Sequence, residues 1–545
     1  MSRLASVAAH RAWLLTLRPA ARAFYRALRD PASAQRALLA QLVNDNRDSA
    51  FGAAHGFASI RSIDDFRAAV PIRTYDELLP WIERAKRAET RVLTTAPVVM
   101  FECTSGSAGA AKFVPYTPAL LREFQRALAP WLCDLYDSDS ALADGPAYWS
   151  VTPLGRSKTR TEGGVPIGLD ADSDYLGPLS AWFTNRLLAV PREVGRSSDI
   201  DAALYLTLRF LLQHRSLALL SVWNPSLLTV LCRTLETRGD QLADDLQSGT
   251  VSGLDALPPS ARHRVARRAR RDITQSRELR AMLREGTLRP LTLWPHLRLI
   301  SCWTSAEAKG VIADVTRLFP GVAIQGKGLL ATEGVTTIPV RRFGGPVPAI
   351  TSHFLEFVAT EGGRVHLAHE LERGREYAPL LTTGGGLWRY RIGDRVRVSD
   401  VIDTIPVLEF VGRDDGVCDL RGEKLSPSFV SGVIDAMRTS GALTATFAML
   451  TPTIDRHGYV LFTDAATADA GALDRLLRAN PQYAYCRDLG QLRAAEVVHI
   501  DGDAHAQYLR HCERMNRRAG AVKLVSLDPH SGWTDGFARR PELQP

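Results

Sequence analysis

The sequence predicts an α/β protein in two parts, a large N-terminal α/β domain over residues 1–412 and a smaller, mobile C-terminal α/β domain over 413–545. Three observations predict it. At 545 residues the chain is too long for one ordinary domain. From about Val98, short runs rich in β-branched and aromatic residues alternate with helical stretches, the texture of an α/β core. After Gly412-Arg413 the pattern starts afresh as a unit of roughly 130 residues, an ordinary domain size. The hydrophobic fraction of 45% and charged fraction of 23% fit a soluble globular chain.

Along the chain, residues 1 to about 95 read as helices with short connections. The apolar stretch Ala12-Trp13-Leu14-Leu15 lies in an arginine-studded segment. It is too short for a signal-peptide core and no small-residue cleavage site follows, so it reads as a helix packed on the protein. Leu38, Leu39, Leu42 and Val43 have helical spacing, and Pro71 and Pro80 punctuate the end of this region. Strand-like runs then appear at Val98–Phe101, Tyr148–Val151, Leu217–Val222 and Leu297–Cys302. An arginine-rich helical stretch from about 225 to 290 interrupts them. Between Thr351 and Val411 the pattern is strand-like, with Gly362-Gly363 and Gly384-Gly385-Gly386 as turn signals. No internal repeat shows, and no apolar run reaches the roughly 20 residues of a membrane span.

The net charge of +8 raises nucleic acid as a partner. The densest basic run, Arg262-His263-Arg264 with Arg267-Arg268 and Arg270-Arg271, lacks interleaved aromatics and any zinc-finger or RNA-binding signature. It reads as a solvated helix face, and the expectation is no nucleic acid. The seven cysteines are scattered without a C-x-x-C pair, which points to neither a zinc site nor a disulfide framework and fits a reducing, cytoplasmic setting. Lysine occurs only at Lys86, Lys112, Lys158, Lys309, Lys327, Lys424 and Lys523. A compact point charge kept in so arginine-biased a chain marks these positions for attention.

Four stretches carry chemistry. Thr104-Ser105-Gly106-Ser107-Ala108-Gly109-Ala110-Ala111-Lys112 follows an apolar strand. Its small residues allow a turn whose N–H groups converge on an anion, Ser105 and Ser107 add hydroxyls, and Lys112 adds charge. The P-loop spacing is absent. Gly326-Lys327-Gly328-Leu329-Leu330-Ala331-Thr332-Glu333-Gly334 sets a hydroxyl beside a carboxylate, which suits Mg2+ carried on a nucleotide. Gly386 to Asp394, continuing through Arg395-Val396-Arg397-Val398, alternates like a strand, with Asp394 at its turn able to accept from two ribose hydroxyls. Phe410-Val411-Gly412-Arg413-Asp414-Asp415-Gly416, running on to Arg421-Gly422-Glu423-Lys424, has the glycine-flanked charge of an interdomain hinge. Each alone is equally the pattern of an ordinary turn or a charged surface loop. Two further patterns read as structural: His366-Leu367-Ala368-His369-Glu370 is not H-E-x-x-H and fits a surface pair, and Cys103, without a G-x-S-x-G elbow, fits a buried core cysteine.

Taken in order, a small-residue loop ending in Lys, a Thr-Glu, a Gly-Asp and a Gly-Arg-x-Asp resemble the adenylate-forming superfamily of acyl-CoA ligases, luciferases and peptide-synthetase adenylation domains. Phe51-Gly52, His55-Gly56-Phe57, Asp65-Phe66, Val70-Pro71-Ile72, Ser221 to Ser226, Ser301-Cys302-Trp303, Ser352 to Phe357 and Arg389-Tyr390-Arg391 narrow this further. They look like the auxin-responsive acyl-acid amido synthetase ("GH-three") family, a resemblance running from about Gln35 to Lys523.

The resemblance implies a ligase of the adenylate-forming fold that joins an acyl acid to an amino acid with ATP and Mg2+. It assigns Ser105, Gly106, Ser107 and Gly109 to phosphate, with Lys112 at the loop's end, and Gly328, Leu329, Ala331 and Thr332 to adenine and α-phosphate. Glu333 falls to Mg2+, Asp394 to ribose, and Arg413 to the nucleotide with Asp415 as pivot. Lys424 and Lys523 match lysines that approach the phosphates when the smaller domain closes. The chain departs from the family at Ser107-Ala108, where two hydroxyl residues are usual, and around Lys523, which lacks the flanking Gln and Pro. The expected reaction has two halves: a carboxylate attacks the α-phosphate and displaces pyrophosphate, then an amine attacks the acyl-AMP. Trp149, Trp223 and Trp303 are candidates for an apolar acyl pocket, with core packing the alternative for at least one. Transfer to CoA, and a non-catalytic nucleotide- or acid-binding descendant, are the rival readings. A monomer is the default expectation.

Overall fold

A computed structural model describes residues 3–104, 112–150, 160–168, 177–304, 309–413, 416–445, 447–514 and 525–538. Met1–Cys103 and Phe113–Gly412 form one compact unit, and Thr104–Lys112 groups with Arg413–Pro545 in a second. Among the described residues no helix is long and apolar enough to cross a membrane.

The larger unit opens with the helix Arg3–Ala27, whose buried stripe Trp13, Leu14, Leu17, Ala21 and Phe24 recurs at three- and four-residue intervals. That face packs on the helix Pro118–Ser138, meeting Leu132, Leu135 and Tyr136. Trp13 and Phe24 are almost wholly buried, and each contributes roughly 2–3 kcal/mol. Arg18 of this helix sits at the margin of the contact and pairs with Asp137 at 2.8 Å.

Two sheets organise the rest. Four parallel strands lie in the order Ala147–Trp149, Leu219–Ser221, Leu299–Cys302 and Ala323–Gly326. Their central members are apolar runs buried throughout, as parallel strands between helices must be. The second sheet is built on Val365–His366, Phe354–Ala359, Glu376–Thr382, Asp394–Ile402 and Ile405–Arg413, with Tyr390–Arg391 added to Glu376–Thr382. In Asp394–Ile402, Val396 and Val398 face inward while Arg397 faces out, where it pairs with Glu376 at 2.6 Å.

This sheet corrects one expectation. The alternating run from Gly386 to Val398 is not one strand. Left-handed backbone at Arg389 (φ 46°) and Gly393 (φ 85°) breaks it into Tyr390–Arg391 and Asp394–Ile402, so alternation continues across a change of direction.

The smaller unit centres on Ala448–Pro452 and Tyr459–Thr463, antiparallel to each other, with Glu496–His499 parallel to the latter. Leu425, Ile434, Met437, Leu461, Leu473, Leu477 and Tyr483 form one core. Phe447, Phe462, Tyr508, Trp533 and Phe537 form another.

Candidate active site

The Thr-Glu motif forms the tip of a hairpin. Leu330–Ala331 pairs with Gly334–Val335 in the register Leu330 to Val335 and Ala331 to Gly334, which leaves Thr332 and Glu333 as the two turn residues. Two other sequence-predicted stretches meet this tip. Tyr116, at the end of the strand Lys112–Tyr116, donates its hydroxyl to the Thr332 carbonyl at 2.6 Å. Tyr390 reaches Glu333 Oε1 with a longer bond of 3.5 Å. Tyr116, the Thr332-Glu333 turn and Tyr390, which shortly precedes Asp394, are thereby gathered at one place. Glu333 is half-buried and Asp394 is 5% exposed at the start of its strand. Burial pushes the Tyr75 hydroxyl, which accepts from Phe113 N–H at 2.7 Å, up to about 12.

The proposed adenine segment is fixed by close packing. Gly328 has φ 77°, and a Cβ there would stand 2.7 Å from the Thr337 carbonyl oxygen. Leu329 N–H donates to Thr337 Oγ1 at 2.8 Å, and its carbonyl accepts from Thr336 N–H at 3.0 Å. Gly328 and Leu329 are therefore laid flat on the strand Thr337–Val340.

Beneath the tip lie buried polar groups that sequence reasoning missed. Glu123 accepts from Gly384 N–H at 2.9 Å and from His353 Nδ1 at 2.9 Å, all three deeply buried. With Nδ1–H committed to the carboxylate, His353 Nε2 faces Gly334, where a Cβ would meet it at 2.9 Å, and it has no hydrogen-bond partner. Arg389, 4% exposed, donates to Glu356 Oε2 and to the Val70 carbonyl, each at 2.8 Å, and Arg67 completes the cluster at 2.8 Å from Glu356 Oε1. This cluster holds the chain immediately before Tyr390. His353, Glu356 and Arg389 fall in stretches that carry the family resemblance, which assigned them no role, and Glu123 punctuates an otherwise apolar helix face.

At the carboxyl ends of the parallel strands, where α/β sheets bind ligands, Trp223 and Trp303 meet edge to face at 6.1 Å. Lys327 is 4% exposed, donates to Ser221 Oγ at 2.6 Å and lies over Trp131 and Trp223 at 5.2 and 5.1 Å. Burial pushes the neighbouring Cys302 thiol up to about 11, against the opposing charge of Lys327. Trp149 packs on Trp13 at 6.0 Å as part of the core under the first helix.

In the smaller unit, Lys424 has left-handed backbone (φ 47°) and is half-buried. The preceding Arg421 and Glu423 are interior, 6% and 0% exposed, so at these two residues the alternative of a charged surface loop does not hold. Arg413 ends the strand Ile405–Arg413. Ser105, Gly106, Ser107, Gly109, Asp415 and Lys523 lie outside the described residues.

The structural patterns also resolve. Among the described residues no three His, Cys, Asp or Glu side chains gather as a metal site. His366 packs edge to face on Tyr377, and Glu370 accepts from Leu367 N–H at 2.7 Å. Cys103 is half-buried, not a core cysteine. Part of the basic run is used internally, since Arg262 donates to the Leu257 carbonyl at 2.9 Å and Arg268 to that of Leu188 at 3.2 Å.

Comparison with known proteins adds an independent finding. The GH3 family N-terminal domain matches residues 20–324, and the GH3 family central domain matches residues 347–413. Indole-3-acetic acid-amido synthetase GH3.8 of Oryza sativa subsp. indica is 26% identical over 440 residues, covering 75% of this chain and 71% of the relative. Probable indole-3-acetic acid-amido synthetase GH3.12 of Oryza sativa subsp. japonica is 24% identical, covering 92% of each. The solved structure of GH3.15 acyl acid amido synthetase superposes with a TM-score of 0.63 at 16% identity, covering 93% of each chain. The chain shares its fold.

Proposed function

Because this chain belongs to the GH3 family, we propose that it is an ATP-dependent acyl-acid amido synthetase, which converts a carboxylic acid to its acyl-AMP and passes the acyl group to an amine, an amino acid above all. The observation that carries the reading is the meeting of Tyr116 and Tyr390 at the Thr332-Glu333 turn. Tyr116 and Tyr390 follow and precede the stretches proposed for phosphate and ribose, and their meeting at the turn proposed for the metal supports one nucleotide site. The names of the relatives, amido synthetases for indole-3-acetic acid, support amide formation as the product step.

In the first half-reaction a carboxylate oxygen of the acid bonds to the α-phosphorus of ATP and pyrophosphate leaves. The protein's part is placement and charge. Ser105, Gly106, Ser107 and Gly109 would cradle phosphate, with Lys112, Lys424 and Lys523 adding positive charge. Gly328, Leu329, Ala331 and Thr332 would line the adenine and α-phosphate, Asp394 would accept from the ribose hydroxyls, and Arg413 would reach the nucleotide. Glu333 suits a Mg2+ that arrives with the nucleotide, because this ion uses one or two carboxylates plus phosphates and not an all-protein cage. When bound, the ion neutralises charge on the phosphates. In the second half-reaction the amine nitrogen bonds to the acyl carbon, loses its proton, and AMP departs. Trp223 and Trp303 are the candidates for the acyl pocket. The compartment is proposed to be the cytoplasm.

The test is pyrophosphate release from MgATP with aryl, indole and fatty acids, with and without pooled amino acids, for wild type and Glu333→Ala. Acid-dependent release that rises with amino acids and collapses in the variant supports the proposal. Release stimulated only by CoA moves the protein to thioester ligases. No release with any acid, despite ATP binding, makes it a non-catalytic binder.

A further inference from the structure

The helix Arg3–Ala27 carries a second stripe, opposite the one that it buries through Trp13 and Leu17. Leu4, Arg11, Leu15, Arg22 and Arg26 follow at intervals of seven, four, seven and four residues, which the α-helical repeat sets along one line. All five are exposed, Leu4 by 82% and Leu15 by 67%. The helix holds five arginines and no acidic residue. Arg3 and Arg18 are paired, with Asp144 and Asp137 at 2.6 and 2.8 Å. Arg11, Arg22 and Arg26 form no ion pair among the described residues. The other exposed positions between Leu4 and Arg26 are alanines, a proline and a threonine. A solvated helix face ordinarily mixes charges of both signs with polar residues, and this one does not. From Leu4 to Arg26 the stripe runs about 33 Å, so it suits an extended partner and not a pocket-sized ligand.

We propose that this stripe docks the protein on an anionic lipid membrane. The helix lies in the plane of the surface, with its arginines among the headgroups and Leu4 and Leu15 in the acyl boundary. The proposal does not depend on the acyl-adenylating reading. Charge and apolarity together select the partner, because a membrane is anionic at its face and apolar just beneath. A second copy of the chain fits poorly: pairing the stripe with itself about a two-fold axis sets arginine against arginine with no carboxylate between them. Nucleic acid would take the arginines on its phosphates but gain nothing from the leucines. Near an anionic surface each arginine is worth about fivefold in affinity. Burying part of each leucine is worth about tenfold.

The experiment is sedimentation of the full chain with vesicles of phosphatidylcholine, alone or with about one third phosphatidylglycerol. Wild type should sediment only with the anionic vesicles, and roughly 0.5 M salt should release most of it by screening the surface charge. Arg11→Gln, Arg22→Gln and Arg26→Gln together should weaken binding about a hundredfold. Leu4→Ser with Leu15→Ser should weaken it at least tenfold. Arg267→Gln, Arg270→Gln and Arg277→Gln remove the same charge from exposed positions elsewhere and should weaken it less than about fivefold. Every side chain replaced is exposed, and unchanged thermal unfolding checks that each variant folds. No binding to anionic vesicles, equal loss from the two arginine triples, or no loss from the leucine pair would overturn the proposal. A dimer that the leucine pair dissociates would assign the face to a second copy instead. Duplex DNA binding that the first arginine triple abolishes, with vesicles unbound, would assign it to nucleic acid.

Discussion

Replacing Gly328 by Ala asks whether the segment before the Thr-Glu turn is held by packing or merely tolerates it. Two costs add. The backbone at φ 77° is left-handed, and an alanine there costs about 1 kcal/mol. Its methyl would stand 2.7 Å from the Thr337 carbonyl oxygen and 3.0 Å from Oγ1, so a paired strand must shift, for about 1–3 kcal/mol more. Gly321 supplies the control. It has φ 79°, and nothing lies within 4 Å of where a Cβ would stand, so Gly321→Ala carries the backbone cost alone. Urea unfolding of the two variants should differ by about 1–3 kcal/mol. The displaced Leu329 also loses its bond to Thr337 Oγ1, so the KM for MgATP in pyrophosphate exchange should rise about tenfold in Gly328→Ala, equivalent to about 1.4 kcal/mol, and not in Gly321→Ala. Equal stability and equal KM in the two variants would refute the claim that packing on Thr337 shapes this segment.

Three other outcomes follow from the same geometry. Tyr116→Phe removes the 2.6 Å bond to the Thr332 carbonyl; it should cost about 1 kcal/mol in urea unfolding and lower the exchange rate several-fold. Arg389→Met takes one arginine from a buried Arg-Glu-Arg cluster and leaves the Val70 carbonyl without its donor, so a loss of about 3 kcal/mol is expected by denaturant titration, softened because Arg67 still pairs with Glu356. Glu423 also predicts a pH dependence of stability. Its ordinary value of 4.5 is raised to about 7 on folding, so its contribution is fully present below about 4.5 and lost as the pH climbs through 7. Relative to wild type, Glu423→Gln should gain about 3 kcal/mol in urea unfolding between pH 5 and pH 8. A constant difference would mean that Glu423 does not titrate in that window.

By itself the sequence determined the α/β class and the order of the four chemistry-bearing stretches, because both are local. Apolar runs of strand length betray buried parallel strands such as Leu299–Cys302, and the three- and four-residue spacing of Trp13, Leu17, Ala21 and Phe24 betrays a packed helix. The Thr332-Glu333 pair stood out between glycines for its chemistry, whereas its place at the tip of a hairpin came from the pairing of Leu330–Ala331 with Gly334–Val335. Tertiary structure alone decided what lies under that turn. Tyr116 and Thr332 are 216 residues apart, Glu123 and His353 are 230, and no pattern of period two or 3.6 records a contact at such separation. Charge misleads for the same reason. Arg389, Glu356 and Glu423 look like surface residues until their partners are brought to them, because a buried charge is tolerable only when distant donors and acceptors converge on it. Alternation misled between Gly386 and Val398, where left-handed backbone at Gly393 separates Tyr390–Arg391 from Asp394–Ile402 without interrupting the pattern of residue types.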